Sequence, residues 1–130
     1  MNNFSKKIVV TATVLAAITI ALGAFGAHGL KKLVDETLLS SYETGVRYQM
    51  YHVFALIILG IAPGISESTK RWVFWFFILG ILLFSGSIYL LTVRDYISLN
   101  TTFLGPITPL GGLLFILGWL RWCYGIMKKK

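Results

Sequence analysis

Four blocks of apolar residues, separated by short polar connections, divide the chain. Lys6 and Lys7 precede an uncharged run from Ile8 to Ala27, about 20 residues and so about as long as a bilayer is thick. It predicts a first span over 8–29. A signal peptide opens the same way, and Ala24-Phe25-Gly26 has small-x-small character, but the run exceeds a signal's apolar core of about 7 to 15 residues. Leu30 to Arg47 is the longest polar connection, and within it Leu30, Leu33, Val34, Leu38 and Tyr42 recur at three- and four-residue steps. This spacing predicts an amphipathic helix over 30–43 that lies at the interface and continues into the next span. Glu43 and Arg47, four residues apart, can pair on its polar face.

The second span is expected over 44–62. Its strictly apolar part, Val53 to Ala62, is too short to cross alone, so the polar turn from Arg47 to His52 must enter the membrane boundary. Gly45, Tyr48, Gln49 and His52 fall on one helical face and should point into the bundle, because hydrocarbon cannot satisfy them. Pro63 to Thr69 reads as a turn, followed at once by Lys70-Arg71. A third span over 72–93 carries Ser85, Tyr89 and Thr92 on one face.

The fourth span, over 105–127, opens on Gly105-Pro106-Ile107-Thr108-Pro109-Leu110-Gly111-Gly112. Both prolines fit a first helical turn, where N–H groups lack partners anyway; Thr108 as N-cap with Pro109 at the first position is the alternative start. Thr108, Gly111, Gly112, Phe115, Gly118 and Trp122 form its inward stripe. Gly23, Gly26, Gly29, Gly86, Gly111, Gly112 and Gly118 are the positions expected to let neighbouring helices approach. The fold expected is an all-α integral membrane protein, one domain over 1–130. It is an up-down four-transmembrane-helix bundle with an interfacial amphipathic helix between spans 1 and 2.

Composition supports lipid as the solvent: 56% of the 130 residues are hydrophobic and only 13% charged. The net charge of +7 does not point to nucleic acid, since the bases flank apolar blocks and form no stripe over a surface. With four spans, one side holds Lys6, Lys7, Lys70, Arg71, Arg121, Lys128, Lys129 and Lys130 against Glu67 alone. The other side balances Lys31, Lys32, Arg47 and Arg94 against Asp35, Glu36, Glu43 and Asp95. The positive-inside rule then puts both termini in the cytoplasm. Trp72, Trp75, Trp119 and Trp122 gather at that side, as interface anchors do.

Taken together, Gly23 to Leu30, Tyr48-Gln49-Met50-Tyr51-His52, Phe84-Ser85-Gly86-Ser87-Ile88-Tyr89 and Gly105 to Gly112 give the chain its resemblance to one family. It resembles, over almost its whole length, the bacterial membrane proteins grouped as domain of unknown function 423 (uncharacterised protein family 0382). The resemblance implies a multi-pass membrane protein of the bacterial cytoplasmic membrane and transfers no catalytic residue.

His28, Tyr48, Gln49, His52, Ser85, Tyr89 and Thr108 are expected at similar depth near the outer face, and they form the candidate polar cluster. In one reading these groups join helices by interhelical hydrogen bonds. In the other they line a hydrated cavity through which a small transporter, channel or lipid- or quinone-binding protein works, with His28 and His52 as its titrating groups. Both readings set the two histidines inside one connected network. Two histidines and the distant Cys123 make no metal site, and no motif calls for a cofactor. No acid lies inside an apolar run, so no Ser-His-Asp set converges unless Asp35 or Asp95 folds inward, and the chain reads as non-enzymatic. The lipid bilayer is the partner implied, with a homo-oligomer or a larger membrane partner as candidates for an interaction or scaffold component.

Overall fold

A computed structural model describes residues 1–98 and 100–128. Lys129 and Lys130, counted above in the basic C-terminal run, lie outside the described residues. Four long helices carry the fold: α1 (Asn3–His28), α2 (Glu36–Ile61), α3 (Glu67–Thr92) and α4 (Leu104–Met127). Three of them, α1, α3 and α4, are long and apolar enough to cross a membrane. α2 is the more polar one, and it packs on both α1 and α3.

Local chemistry sets the helix starts. Asn2 accepts from Ser5 N–H, Asp35 from Leu38 N–H and Ser66 from Thr69 N–H, each filling one of the N–H vacancies of a first turn. α1 therefore starts five residues before Ile8, where the long uncharged run begins. The connection from α2 to α3 turns at Gly64, whose φ of 73° lies in the left-handed region that only glycine enters freely. α4 begins at Leu104, so Pro106 falls in its first turn while Pro109 sits inside the helix.

The segment 30–43 differs in form from a helix lying flat on the membrane. Leu30–Lys32 is a single 3-10 turn, and from Glu36 onward the chain is already α2, which runs unbroken to Ile61. Tyr42 faces α1, buried, and donates its hydroxyl to Leu22 O at 2.6 Å, whereas Leu33 is exposed and Leu38 borders a cleft beside Ile88 and Leu91 of α3. At Tyr42 the amphipathic spacing serves packing on α1. Arg47 bonds Thr44 Oγ1 at 3.2 Å and not Glu43.

Residue pairs fix the register. Gly26 meets Tyr42, Gly23 meets Val46 and Gly60 meets Val9 and Ser5, so α1 and α2 run antiparallel along their whole length. Between α3 and α4, Thr69 meets Gly125, Phe77 meets Gly118, Gly80 meets Phe115 and Phe84 meets Gly111, again antiparallel. The seam joining the two pairs is α2 against α3, where Gly45 packs on Ile88 and Tyr89. Ile8, Ala12, Leu56, Leu59, Val73 and Phe77 fill the half of the core nearer the termini.

α3 is not regular throughout. Ile81–Ser85 forms a π-turn, closed by Gly86 N–H to Ile81 O. At that level a Cβ on Gly111 would come within 2.7 Å of Leu83 C and closer still to Phe84 N. The widened turn of α3 thus lies backbone to backbone on α4, and Gly111 is the residue that permits it.

Candidate functional site

Polar groups between the helices form separate sets. The first joins three helices through Gln49, which is 3% exposed. Its Nε2 donates to Thr19 Oγ1 on α1 at 2.8 Å, and its Oε1 accepts from Tyr89 OH on α3 at 2.8 Å. Thr19 passes its own proton to Leu15 O at 2.6 Å. Ser85, fully buried, donates to Gly45 O at 2.7 Å, one helical turn from Gln49. Every polar atom of the Gln49 amide head thus has a partner supplied by a neighbouring helix.

His52 stands in a second set, at mid-bundle. Its ring stacks on Phe115 with centroids 3.6 Å apart and meets Phe77 edge-on at 4.9 Å. Nδ1 lies 2.6 Å from Tyr48 O, and Trp119 Nε1 donates to Nε2 at 3.1 Å. An indole nitrogen only donates, so Nε2 is the acceptor and the proton sits on Nδ1, donated to the Tyr48 carbonyl. Both ring nitrogens are engaged, by α2 itself and by α4.

Thr108 belongs to a third set, where its hydroxyl bonds that of Ser87 and ties α4 to α3. Tyr48 contributes only its carbonyl. Its side chain is exposed, because it lies about 100° round the helix from Gln49.

His28 requires the larger correction. It is exposed on α1, apart from the other residues of the candidate cluster. It follows Gly26 by two residues, about 200° of rotation, so once Gly26 faces Tyr42 the histidine must face away. His28 is also level with the start of α2, about 18 Å along the axis from His52. The two histidines therefore share no network, and the cluster divides by depth into several contacts.

The glycines divide as well. Gly26, Gly111 and Gly118 sit against Tyr42, the α3 backbone and Phe77 so closely that a Cβ would clash. Gly23 and Gly112 make ordinary contacts, Gly86 touches nothing but its own chain, and Gly29 faces Phe25 of its own helix.

Several polar residues that matter to packing lay outside the cluster drawn from the sequence. Thr19 is seven residues from both Ala12 and Gly26, the small residues of the face toward α2, and that spacing was the available signal. Lys70, read above as a topology charge, is only 7% exposed. Its Nζ donates to Ser5 Oγ at 2.9 Å and Gly60 O at 3.1 Å, capping the last turn of α2 where carbonyls lack helical partners. Lys70 precedes Val73 and Phe77 by three and seven residues, which sets it on the buried stripe of α3. Nearby, Arg121 on α4 donates to Thr69 Oγ1 at 3.0 Å.

Of the candidate cluster, Thr108 borders a cleft of about 380 Å³ beside Leu38, Ser41 and Ile88. No group of three His, Cys, Asp or Glu side chains that could hold a metal occurs among the described residues. Gln49, Tyr89, Ser85 and His52 each have a hydrogen-bond partner inside the bundle, while the buried Trp122 Nε1 has none.

Comparison with known proteins agrees with this architecture of apolar helices. Residues 22–112 match the family described as protein of unknown function, DUF423. A UPF0382 membrane protein of Staphylococcus haemolyticus is 40% identical over 115 residues, 88% of this chain and 90% of the relative. The UPF0382 membrane protein YwdK of Bacillus subtilis is 38% identical over 119 residues, 88% of this chain and 91% of its own length. A Haemophilus influenzae UPF0382 membrane protein is 38% identical over 111 residues, 85% of this chain and 86% of its own. No solved structure matches. A match over residues 22–112, with relatives near 40% identity along most of their length, places the chain in the DUF423 (UPF0382) family of multi-pass membrane proteins.

Proposed function

We propose that the protein is a non-enzymatic interaction or scaffold component of the bacterial cytoplasmic membrane, with both termini cytoplasmic. One observation carries this reading. Apart from Trp122 Nε1, which is buried without a partner, the buried polar side chains of the candidate cluster are bonded within the bundle: Gln49 to Thr19 and Tyr89, Ser85 to Gly45 O, and His52 to Trp119 and Tyr48 O. A transport or binding site would keep some of these groups free to meet a solute. Hydrogen bonds of this kind hold helices in lipid, where apolar burial between helices gives little drive. The excess of bases at the end carrying Lys6, Lys7, Lys70 and Arg71 supports the orientation. A cavity role centred on His28 and His52 lacks support, because one is exposed and the other is stacked on Phe115 with Phe77 edge-on to it.

The test combines two measurements. Proteoliposomes of the wild type and of His52→Ala should dissipate an imposed pH gradient no faster than protein-free vesicles. A photo-crosslinking residue at the lipid-facing Phe54, which is 57% exposed, should give a protein adduct of defined mass in native membranes. Proton or solute flux that is present in the wild type and abolished by His52→Ala would overturn the reading.

A further inference from the structure

At the end that carries the N-terminus, α1 and α3 line an open groove of about 980 Å³. Its mouth is lined by Asn2, Lys6, Lys7 and Arg71, and its deeper wall by Val10 and Trp75. From Asn2 to Thr11 the groove follows α1 for roughly 14 Å, the depth of a phospholipid headgroup, its glycerol and the first carbons of its chains.

The charges in the groove are unequal. Arg71 pairs with Glu67, whose second oxygen takes Asn2 Nδ2 at 3.4 Å, so the groove's one acid is fully engaged. The Arg71 guanidinium also rests over the Phe4 ring, 4.5 Å from its centroid, while Phe4 packs edge-on against Phe74. That stack builds a rigid cationic wall. Lys6 and Lys7 are exposed, and neither has an acidic partner among the described residues. Trp75 is 54% exposed one turn below Arg71, the position an indole takes at the boundary between headgroups and chains.

We propose that this groove is a binding site for an anionic phospholipid. Its phosphate would be held by Lys6, Lys7 and the outer N–H groups of Arg71, and an acyl chain would lie along Val10 and Trp75. Bases above and apolar surface below match the two halves of such a lipid, and a zwitterionic lipid would gain far less from the unpaired lysines. This site is separate from the interior network and does not depend on it.

Native mass spectrometry of the detergent-purified full chain, titrated with phosphatidylglycerol or phosphatidylcholine, tests the assignment. The wild type should retain phosphatidylglycerol at least about ten-fold better. The double variant Lys6→Gln/Lys7→Gln should lose roughly 25-fold in that retention, about five-fold per lysine. Lys31→Gln/Lys32→Gln, which removes equal charge at the opposite end, should lose none. Inorganic phosphate at the same concentration should not displace the lipid, since it makes no use of the apolar wall. Circular dichroism and the elution volume of each variant establish that it is folded. Equal retention of the two lipids, an unchanged Lys6→Gln/Lys7→Gln variant, an equal loss in Lys31→Gln/Lys32→Gln, or displacement by phosphate would each overturn the proposal.

Discussion

Tyr89 donates its hydroxyl proton to Gln49 Oε1 at 2.8 Å across the seam between α2 and α3. Because the other end of the same amide donates to Thr19, one side chain ties α1, α2 and α3 together. α2 falls short of the apolar content that α1, α3 and α4 reach. Its buried polar positions cost little where neighbouring helices satisfy them, and hydrocarbon would not.

Replacing Gln49 with Leu removes both of its bonds and leaves the Tyr89 hydroxyl without its acceptor. Interhelical bonds in lipid average about 0.6 kcal/mol each, so Gln49→Leu should destabilise the bundle by about 1 kcal/mol. Denaturant unfolding in bicelles reads this directly.

The two histidines should behave differently. His28 is exposed, and His28→Ala should change stability by less than about 0.5 kcal/mol. His52→Ala deletes a stacked ring and two hydrogen bonds and should cost about 1 kcal/mol or more. Trp119→Phe, which removes only the donor to Nε2, should fall between them. Equal effects at positions 28 and 52 would contradict the separation of the two residues.

Gly111 and Gly105 offer the sharpest contrast in packing. A methyl at Gly111 meets the backbone of Leu83 and Phe84, which no side-chain rotation relieves, whereas Gly105 has nothing within 4 Å of a built Cβ. Gly111→Ala should cost about 1 to 3 kcal/mol, and Gly105→Ala should be neutral or slightly stabilising in the same unfolding assay.

Lys70→Met should behave as the loss of a buried cap. It leaves Gly60 O and Ser5 Oγ without their donor, a cost of about 1 to 3 kcal/mol. Lys31→Met, at an exposed lysine, should stay within about 0.5 kcal/mol of the wild type.

The helices were legible in the sequence because lipid demands long uncharged runs, and the run from Ile8 to Ala27 or from Trp72 to Val93 leaves little choice of form. The inward face of α2 was legible for the same reason: Gly45, Gln49 and His52 share one side of a helix whose surroundings cannot solvate them. Depth was harder to read. Equating the end of one span with the start of the next set His28 level with His52, but α2 begins at Glu36, and its first turns lengthen the helix on the His28 side.

Individual partners were not legible at all. That Trp119 would reach His52 depends on how α4 sits against α2, which a hydropathy pattern does not carry; the same holds for the π-turn at Ile81–Ser85 that lies on Gly111. Nothing in a single hydropathy pattern marks a π-turn. Lys70 was misjudged because a lysine beside Arg71 at a helix start looks like a charge facing water. Its burial depends on the α2 terminus ending within reach of its ammonium group.

The central claim is that the buried polar residues hold the helices together instead of serving a site. A double-mutant cycle on Gln49→Leu and Tyr89→Phe, measured by reversible unfolding in bicelles, tests it most directly. The account predicts that both single variants destabilise and that the pair is coupled favourably by about 0.6 kcal/mol, up to about 1.7. Single variants as stable as the wild type or more so, with a coupling of zero, would show these residues kept for something other than packing and would contradict it.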